Sequence, residues 1–253
     1  MRPMPALRCR LSGGWTGAGS ACTTQTLGAG KTQLDGEFET GILKVYVQQG
    51  SSATISIHNL GFYRGAALVN NTGSVDVEIN TATTAKVWFA RNSILQSFSD
   101  NGATAGLRAV ARRGRLRVTG NLIVGNASEG ICGVAGVLFS AFNGALAYFN
   151  NNTVSSNSGN GTQGGSSGVY FYAMTPLWVS NNVITGNAST TASSLQYQTD
   201  TNGTGQLRGI CSRTPALAMV QSPTEASAKT GIRDCLWPDR APRPGQGDQG
   251  QTD

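Results

Sequence analysis

The sequence predicts an all-β protein, a single right-handed parallel β-helix whose coils repeat about every 30 residues. Three observations predict this fold: a nine-residue pattern that occurs four times, its nearly constant spacing, and the strand and turn residues that fill it. The copies read VWFARNSIL, LRVTGNLIV, AYFNNNTVS and LWVSNNVIT, beginning at residues 87, 116, 147 and 177. Aligned on a central asparagine they place Asn92, Asn121, Asn152 and Asn182 at one position, with gaps of 29, 31 and 30 residues.

The first strand of each copy carries apolar residues at alternate positions. Alternate side chains of a strand point to opposite faces, so these residues should face inward. The inward pairs are Val87 and Phe89, Leu116 and Val118, Ala147 and Phe149, and Leu177 and Val179. After the asparagine come a second apolar position, a polar turn, a variable loop and a third strand. The third strands are predicted at residues 107–110, 137–140, 169–172 and 195–198.

The asparagine position suits a corner at which successive coils stack. An asparagine amide can donate a hydrogen bond to one neighbour and accept one from the next, and the residue tolerates left-handed backbone. Stacked strands would place equivalent residues about 4.8 Å apart. No copy shows the apolar spacing of an amphipathic helix, and parallel crossovers are overwhelmingly right-handed.

Composition divides the chain into three parts. Only 13% of the residues are charged and 34 of the 253 are glycine, which is typical of a turn-rich β-solenoid. Residues 34–204 are predicted to form the β-helix. Residues 1–33 are predicted to be a poorly ordered N-terminal segment, and the Pro-, Gly- and Gln-rich residues 205–253 a mostly disordered tail.

The runs GNLIVGN, NNNTVSSN and SNNVITGN, each followed by a glycine-rich loop and a strand such as GVYF, resemble bacterial right-handed parallel β-helix repeat proteins of the pectate-lyase-like superfamily. The resemblance covers roughly residues 34–200. It implies an extracellular or cell-surface protein, although no secretory signal is visible in the first eleven residues. It implies little about activity, because the fold hosts lyases, hydrolases, adhesins and other proteins.

The outward positions of the first strands predict a stripe of ligand-binding residues along one sheet. One residue per coil contributes to it: Trp88, Arg117, Tyr148 and Trp178. Sugar rings pack on such aromatic surfaces, and an arginine binds hydroxyl or carboxylate groups. Outward Tyr170 and Tyr172 of the third strands are expected to add to this surface. The alternative is that residues 205–253 or a glycine-rich loop cover the stripe.

Asp76 and Glu78 are the best candidates for catalytic residues, although the sequence favours no catalytic site. Two residues apart on a strand, they would point outward together about 7 Å apart. Such a pair could serve a glycoside hydrolase, or hold Ca²⁺ in a polysaccharide lyase that uses a nearby arginine. The plainer interpretation is an acidic edge strand that resists aggregation.

A basic segment precedes and enters the second copy of the pattern. Its candidate polyanion-binding residues are Arg108, Arg112, Arg113 and Arg115. They indicate either a solvated corner or a site for an anionic partner such as an acidic polysaccharide. No nucleic-acid-binding motif accompanies them, so no nucleic acid partner is expected.

The sequence predicts neither a metal site nor another cofactor, with Ca²⁺ arising only under the lyase alternative. The five cysteines lack metal-ligand spacing, and His58 is the only histidine. The longest apolar run, residues 131–142, is too short to span a membrane. A monomer is expected.

Three classes of function therefore remain open. The first is a non-catalytic secreted or cell-surface β-helix that binds carbohydrate through the stripe or serves in adhesion. The second is a polysaccharide lyase or glycoside hydrolase acting on acidic polysaccharide. The third is a structural spacer in a larger exported protein.

Overall fold

The chain folds into a parallel β-solenoid of about five turns in the computed structural model. Within the described residues the helical part is limited to a three-residue 3-10 turn, Ala29–Lys31. The structure describes residues 7–16, 24–25, 28–68, 72–80, 84–100, 102–130, 133–159, 165–189, 193–199, 206–211 and 219–221.

Each coil first crosses sheet I and then sheet II, which strand β22 joins into one 12-stranded sheet. Sheet I contains β1 (Arg8–Ser12), β6 (Thr54–His58), β10 (Lys86–Ala90), β14 (Arg115–Thr119), β18 (Leu146–Asn150), the first half of β22 (Leu177–Thr185) and β25 (Gln206–Cys211). Sheet II contains β4 (Gln33–Asp35), β7 (Gly61–Tyr63), β11 (Ser93–Leu95), β15 (Leu122–Val124), β19 (Thr153–Ser155) and the second half of β22.

The coil then crosses a short sheet III and returns through a longer sheet IV. Sheet III contains β8 (Ala66–Ala67), β12 (Phe98–Ser99), β16 (Ala127–Ser128), β20 (Ser158–Gly159) and β23 (Ala188–Ser189). Sheet IV contains β5 (Leu43–Val47), β9 (Gly73–Ile79), β13 (Thr104–Ala111), β17 (Val137–Ala141), β21 (Ser166–Ala173), β24 (Ser193–Thr199) and β26 (Met219–Gln221). A small antiparallel hairpin, β2 (Trp15–Thr16) with β3 (Thr24–Gln25), lies outside these parallel sheets.

The predicted inward rows are confirmed. Phe89, Val118, Phe149 and Val179 are direct partners in successive strands of sheet I, and all four are buried. Sheet IV completes the core from the other side, since the rings of Phe139 and Phe149 lie 5.3 Å apart. The solenoid therefore encloses one continuous apolar column.

The predicted asparagine row is a buried hydrogen-bond ladder. The Asn152 Oδ1 accepts hydrogen bonds from the backbone N–H and the side-chain Nδ2 of Asn121, at 3.0 and 2.9 Å. The Asn152 Nδ2 donates to the Val118 carbonyl and to Asn182 Oδ1, both at 3.1 Å. The corner between sheets I and II is buried, so its polar groups cannot bind water. The ladder provides the hydrogen bonds that these groups need.

A second ladder of the same kind occupies the corner between sheets II and III. Asn126, Asn157 and Asn187 stack there, and Asn126 Nδ2 donates to Asn157 Oδ1 at 2.8 Å. Ser97 occupies the equivalent place in the preceding coil, where its backbone N–H donates to Asn126 Oδ1. The sequence interpretation treated these residues only as polar turns.

The residue before each asparagine of the first ladder lies in the left-handed region. The φ angles of Arg91, Gly120, Asn151 and Asn181 are 55°, 65°, 57° and 54°. Asparagine and glycine tolerate this conformation best, which explains the Gly-Asn and Asn-Asn pairs at the corners.

The solenoid extends beyond both predicted boundaries. Strand β1 pairs with β6, so residues before position 34 belong to the first coil. Strands β25 and β26 pair with β22 and β24, so residues after position 204 continue sheets I and IV. The remainder of the predicted disordered tail, including residues 222–253, lies outside the described residues.

Candidate functional site

The predicted stripe forms one column on the outer face of sheet I. Trp88, Arg117, Tyr148 and Trp178 are direct partners in four successive strands. Their neighbours along each strand face the core, so the two-residue period of the strand turns these four side chains outward.

Three members of the column stack on one another along the solenoid axis. The rings of Tyr148 and Trp178 lie 4.8 Å apart with an interplanar angle of 14°. The Arg117 guanidinium lies 5.1 Å from the Tyr148 ring centre, on the side of the preceding coil. Both faces of Tyr148 are therefore covered by neighbours, and a ligand approaching the sheet meets the edge of this ring.

The column reaches solvent within the described part of the chain. Trp88 is 38% exposed, Arg117 is exposed, and Tyr148 and Trp178 are half-buried. Strand β25 extends the sheet beside Trp178, which has Gln206 as its partner in register. The alternative that residues 205–253 cover the stripe concerns mostly residues outside the described ranges.

Tyr170 and Tyr172 lie on the outer side of sheet IV rather than beside the stripe. Tyr170 is 1% exposed, its hydroxyl donates to Gln198 Oε1, and burial raises the pKa of its phenol well above the ordinary value. Tyr172 is half-buried, with its ring 5.3 Å from that of Phe142. The outward direction was predicted correctly for Tyr170, but its burial removes it from any exposed binding surface.

Asp76 and Glu78 belong to a buried ion-pair cluster on the same sheet. Arg108 Nη1 donates to Asp76 Oδ1 at 2.7 Å and to Glu78 Oε2 at 3.0 Å. Arg112 Nε donates to Glu78 Oε1 at 3.1 Å. Strand β9, which carries both carboxylates, lies between β5 and β13, so the interpretation as an acidic edge strand is wrong.

The two carboxyl groups respond differently to this environment. Burial raises the pKa of Asp76, and the charge of Arg108 offsets only part of that effect. Burial also acts to raise the pKa of Glu78, but the charges and hydrogen bonds of Arg108 and Arg112 outweigh it and lower the value. The cluster therefore places two guanidinium groups against two carboxylates, so that each carboxylate has an arginine partner.

A cavity of about 410 Å³ opens beside Asp76, near the N-terminal end of sheet IV. Its lining includes Glu39, Lys44, Leu68 and Asp76, but not Glu78, Arg108 or Arg112. The cavity thus does not gather both carboxylates with the arginines, as the lyase alternative requires. Among the residues that the structure describes, no group of three or more His, Cys, Asp or Glu side chains is placed to hold a metal ion.

The predicted polyanion patch is divided between two faces. Arg108 and Arg112 are held in the ion-pair cluster, and Arg112 also lies 5.7 Å from the Phe142 ring centre. Arg113 is exposed at the turn, whereas Arg115 lies half-buried on the outer face of sheet I beside Arg117.

Sequence reasoning missed three basic residues of the outer face of sheet I. Lys86 lies next to Arg115, and Arg8 and Arg10 lie on strand β1 of the same sheet. The signal was present, because RCRLS and KVWFA alternate in the same way as the first strand of the second copy. Arg8 and Arg10 were overlooked because residues 1–33 were assigned to a poorly ordered segment, and Lys86 because the first copy of the pattern was begun at residue 87.

No protein-family model, curated protein or solved structure matches this chain. In the described residues, no helix has the length and apolar character needed to cross a membrane.

Proposed function

We propose that this protein is a non-catalytic β-helix that binds carbohydrate along the outer face of sheet I or serves in adhesion through it. The observation that supports this proposal is the in-register column of Trp88, Arg117, Tyr148 and Trp178, which remains open to solvent on the described surface.

Each member of the column has a separate role in this proposal. Trp88, the most exposed of the three aromatic residues, offers apolar ring surface for the C–H groups of a sugar. Arg117 offers several N–H donors for hydroxyl or carboxylate oxygens. Tyr148 and Trp178 contribute ring edges, together with an O–H and an N–H donor.

A likeness to pectate-lyase-like β-helix proteins, a bacterial origin and a secreted or cell-surface location belong to the same proposal. The motifs around the asparagine ladders support the likeness. The acidic cluster gives no support to a lyase or hydrolase, since both of its carboxylates are bound by arginines. The alternative of a structural spacer is tested by measuring whether the wild type binds any glycan.

The double variant Trp88→Ala/Trp178→Ala is expected to lose at least about tenfold in affinity for glycans that the wild type binds on an array. The variant removes the exposed indole surface of Trp88 and the ring that stacks on Tyr148. A tenfold loss in affinity corresponds to about 1.4 kcal/mol of binding free energy. The matched control is Leu122→Ala/Val183→Ala, which removes exposed apolar side chains from sheet II. Unchanged binding by the tryptophan variant would exclude this face, and a wild type without any glycan ligand would favour the spacer.

A further inference from the structure

The outer face of sheet I carries an uncompensated positive charge. Among the residues whose side chains the structure describes, its basic residues are Arg8, Arg10, Lys86, Arg115 and Arg117. No aspartate or glutamate occupies the outward positions of the described strands of this sheet. No carboxylate of the described residues forms an ion pair with any of the five, whereas Arg64, Arg108 and Arg112 are all paired.

These cations lie in two columns that run along the solenoid axis. One column reads Arg8, Thr54, Lys86 and Arg115, and the next reads Arg10, Ser56, Trp88 and Arg117. Neighbouring strands are about 4.8 Å apart, so successive charges lie roughly 10 and 5 Å apart along the first column and roughly 14 Å apart along the second. A linear ligand that lies across the strands would meet positive charges at several points along its length.

The single histidine experiences the same positive field. Arg10 Nε donates to His58 Nε2 at 2.8 Å, which requires that nitrogen of His58 to be unprotonated. Burial, followed by the positive charges of Arg10 and Arg91, lowers the pKa of His58. His58 therefore presents a hydrogen-bond acceptor to Arg10 at this edge of the face and no carboxylate.

We propose that the ligand of this face is an anionic glycan whose carboxylate or sulfate groups lie against the two basic columns. This inference rests on the proposed carbohydrate-binding function and adds the charge of the ligand and its direction along the solenoid axis. Guanidinium groups bind both kinds of anionic group through paired N–H donors, so the shared chemistry is a regularly charged sugar chain.

Other polyanions fit the face less well. Single-stranded nucleic acid binds by stacking successive bases on a series of free aromatic faces, whereas both faces of Tyr148 are covered and Trp88 offers ring surface at one position only. A membrane surface favours apolar side chains that insert between lipids. The positions beside the cations instead include hydroxyl groups of Thr54, Ser56 and Thr119, which suit sugar hydroxyls.

The test compares dextran sulfate and alginate with neutral dextran, in binding measured at low and at raised salt. The wild type is expected to bind at least one of the two anionic chains at least about tenfold more tightly than dextran, with an affinity that falls as salt increases. Sulfate and uronate are distinguished by which chain binds. Lys86→Gln/Arg115→Gln is expected to lower this affinity about tenfold. The control Lys31→Gln/Lys44→Gln, which changes exposed lysines outside sheet I, is expected to leave it unchanged.

The outcomes separate this inference from the function on which it rests. Equal binding of dextran and the charged chains would overturn the inference and leave carbohydrate binding standing. No binding to any glycan would overturn both. Tighter binding to single-stranded DNA or to phosphatidylglycerol vesicles than to either charged glycan would also overturn the inference. Thermal unfolding of each variant confirms that a loss of binding is not a loss of fold.

Discussion

Replacement of Asn152 by alanine is expected to lower the free energy of unfolding by about 3–5 kcal/mol. Asn152 is 1% exposed, and its side chain takes part in four hydrogen bonds with residues of three other strands or corners. Alanine leaves the Asn121 N–H buried without a partner, and it removes one donor each from the Val118 carbonyl and from Asn182 Oδ1. An unsatisfied buried N–H costs about 1–3 kcal/mol, and each of the other three lost hydrogen bonds contributes about 0.5–1.5 kcal/mol.

Chemical denaturation monitored by circular dichroism measures this loss. The control is Asn151→Gly, which changes the adjacent exposed asparagine at a φ of 57°, where glycine fits without strain. We expect the control to stay within about 1 kcal/mol of the wild type. If Asn152→Ala were as mild as the control, the ladder would contribute little and its asparagines would be ordinary turn residues.

The second large effect is expected for Arg108→Ala, at about 3–5 kcal/mol of lost stability. Arg108 is buried against Asp76 and Glu78, with a side chain only 4% exposed. Its removal leaves the Asp76 carboxylate buried without its guanidinium partner, while Glu78 keeps Arg112. The loss should be smaller in mild acid than at neutral pH, because a protonated Asp76 no longer needs a counter-charge.

Two comparisons make this prediction specific to the ion pair. Arg113→Ala, which removes an exposed arginine of the same segment, is expected to change stability by no more than about 0.5 kcal/mol. The double variant Asp76→Leu/Arg108→Leu removes both charges and should recover much of the loss. A double variant as unstable as Arg108→Ala at every pH would show that packing volume, not the unpaired charge, sets the effect.

The inward rows of the solenoid could be predicted because they depend only on the two-residue period of a strand. Val87, Phe89 and their counterparts repeat at nearly constant intervals, so alignment on the asparagine was sufficient to place them in one core. The first asparagine ladder followed from the same alignment, because an amide at a repeated corner has a neighbour above and below.

The second asparagine ladder was not predicted from the sequence. Asn126, Asn157 and Asn187 also recur once per coil, but they follow small or polar residues and were interpreted only as polar turns. Their burial depends on sheet III crossing directly beyond them, and strands of two residues leave little signal in a sequence. The burial of Tyr170 was also missed. The strand period predicts that its side chain points outward, but not that other residues bury it.

Only part of the candidate site could be predicted from the sequence. The stripe on sheet I followed from the repeat, whereas the stacking of Tyr148 on Trp178 depends on rotamers that no pattern specifies. The pairing of Asp76 with Arg108 joins residues 32 positions apart across loops of variable length. Opposite charges on neighbouring coils therefore could not be matched until the register of sheet IV was known.

The central claim is that successive coils lie directly over one another in the stated register. The most direct measurement is disulfide formation in Ala90→Cys/Thr119→Cys, with the native cysteines replaced by serine. These residues are partners in adjacent parallel strands, at a Cα separation of about 4.8 Å that a disulfide can bridge. We expect this pair to cross-link on mild oxidation, as shown by mass spectrometry, and the pair Ala90→Cys/Val124→Cys to remain reduced. Cross-linking of the second pair and not the first would contradict the stacking of the coils.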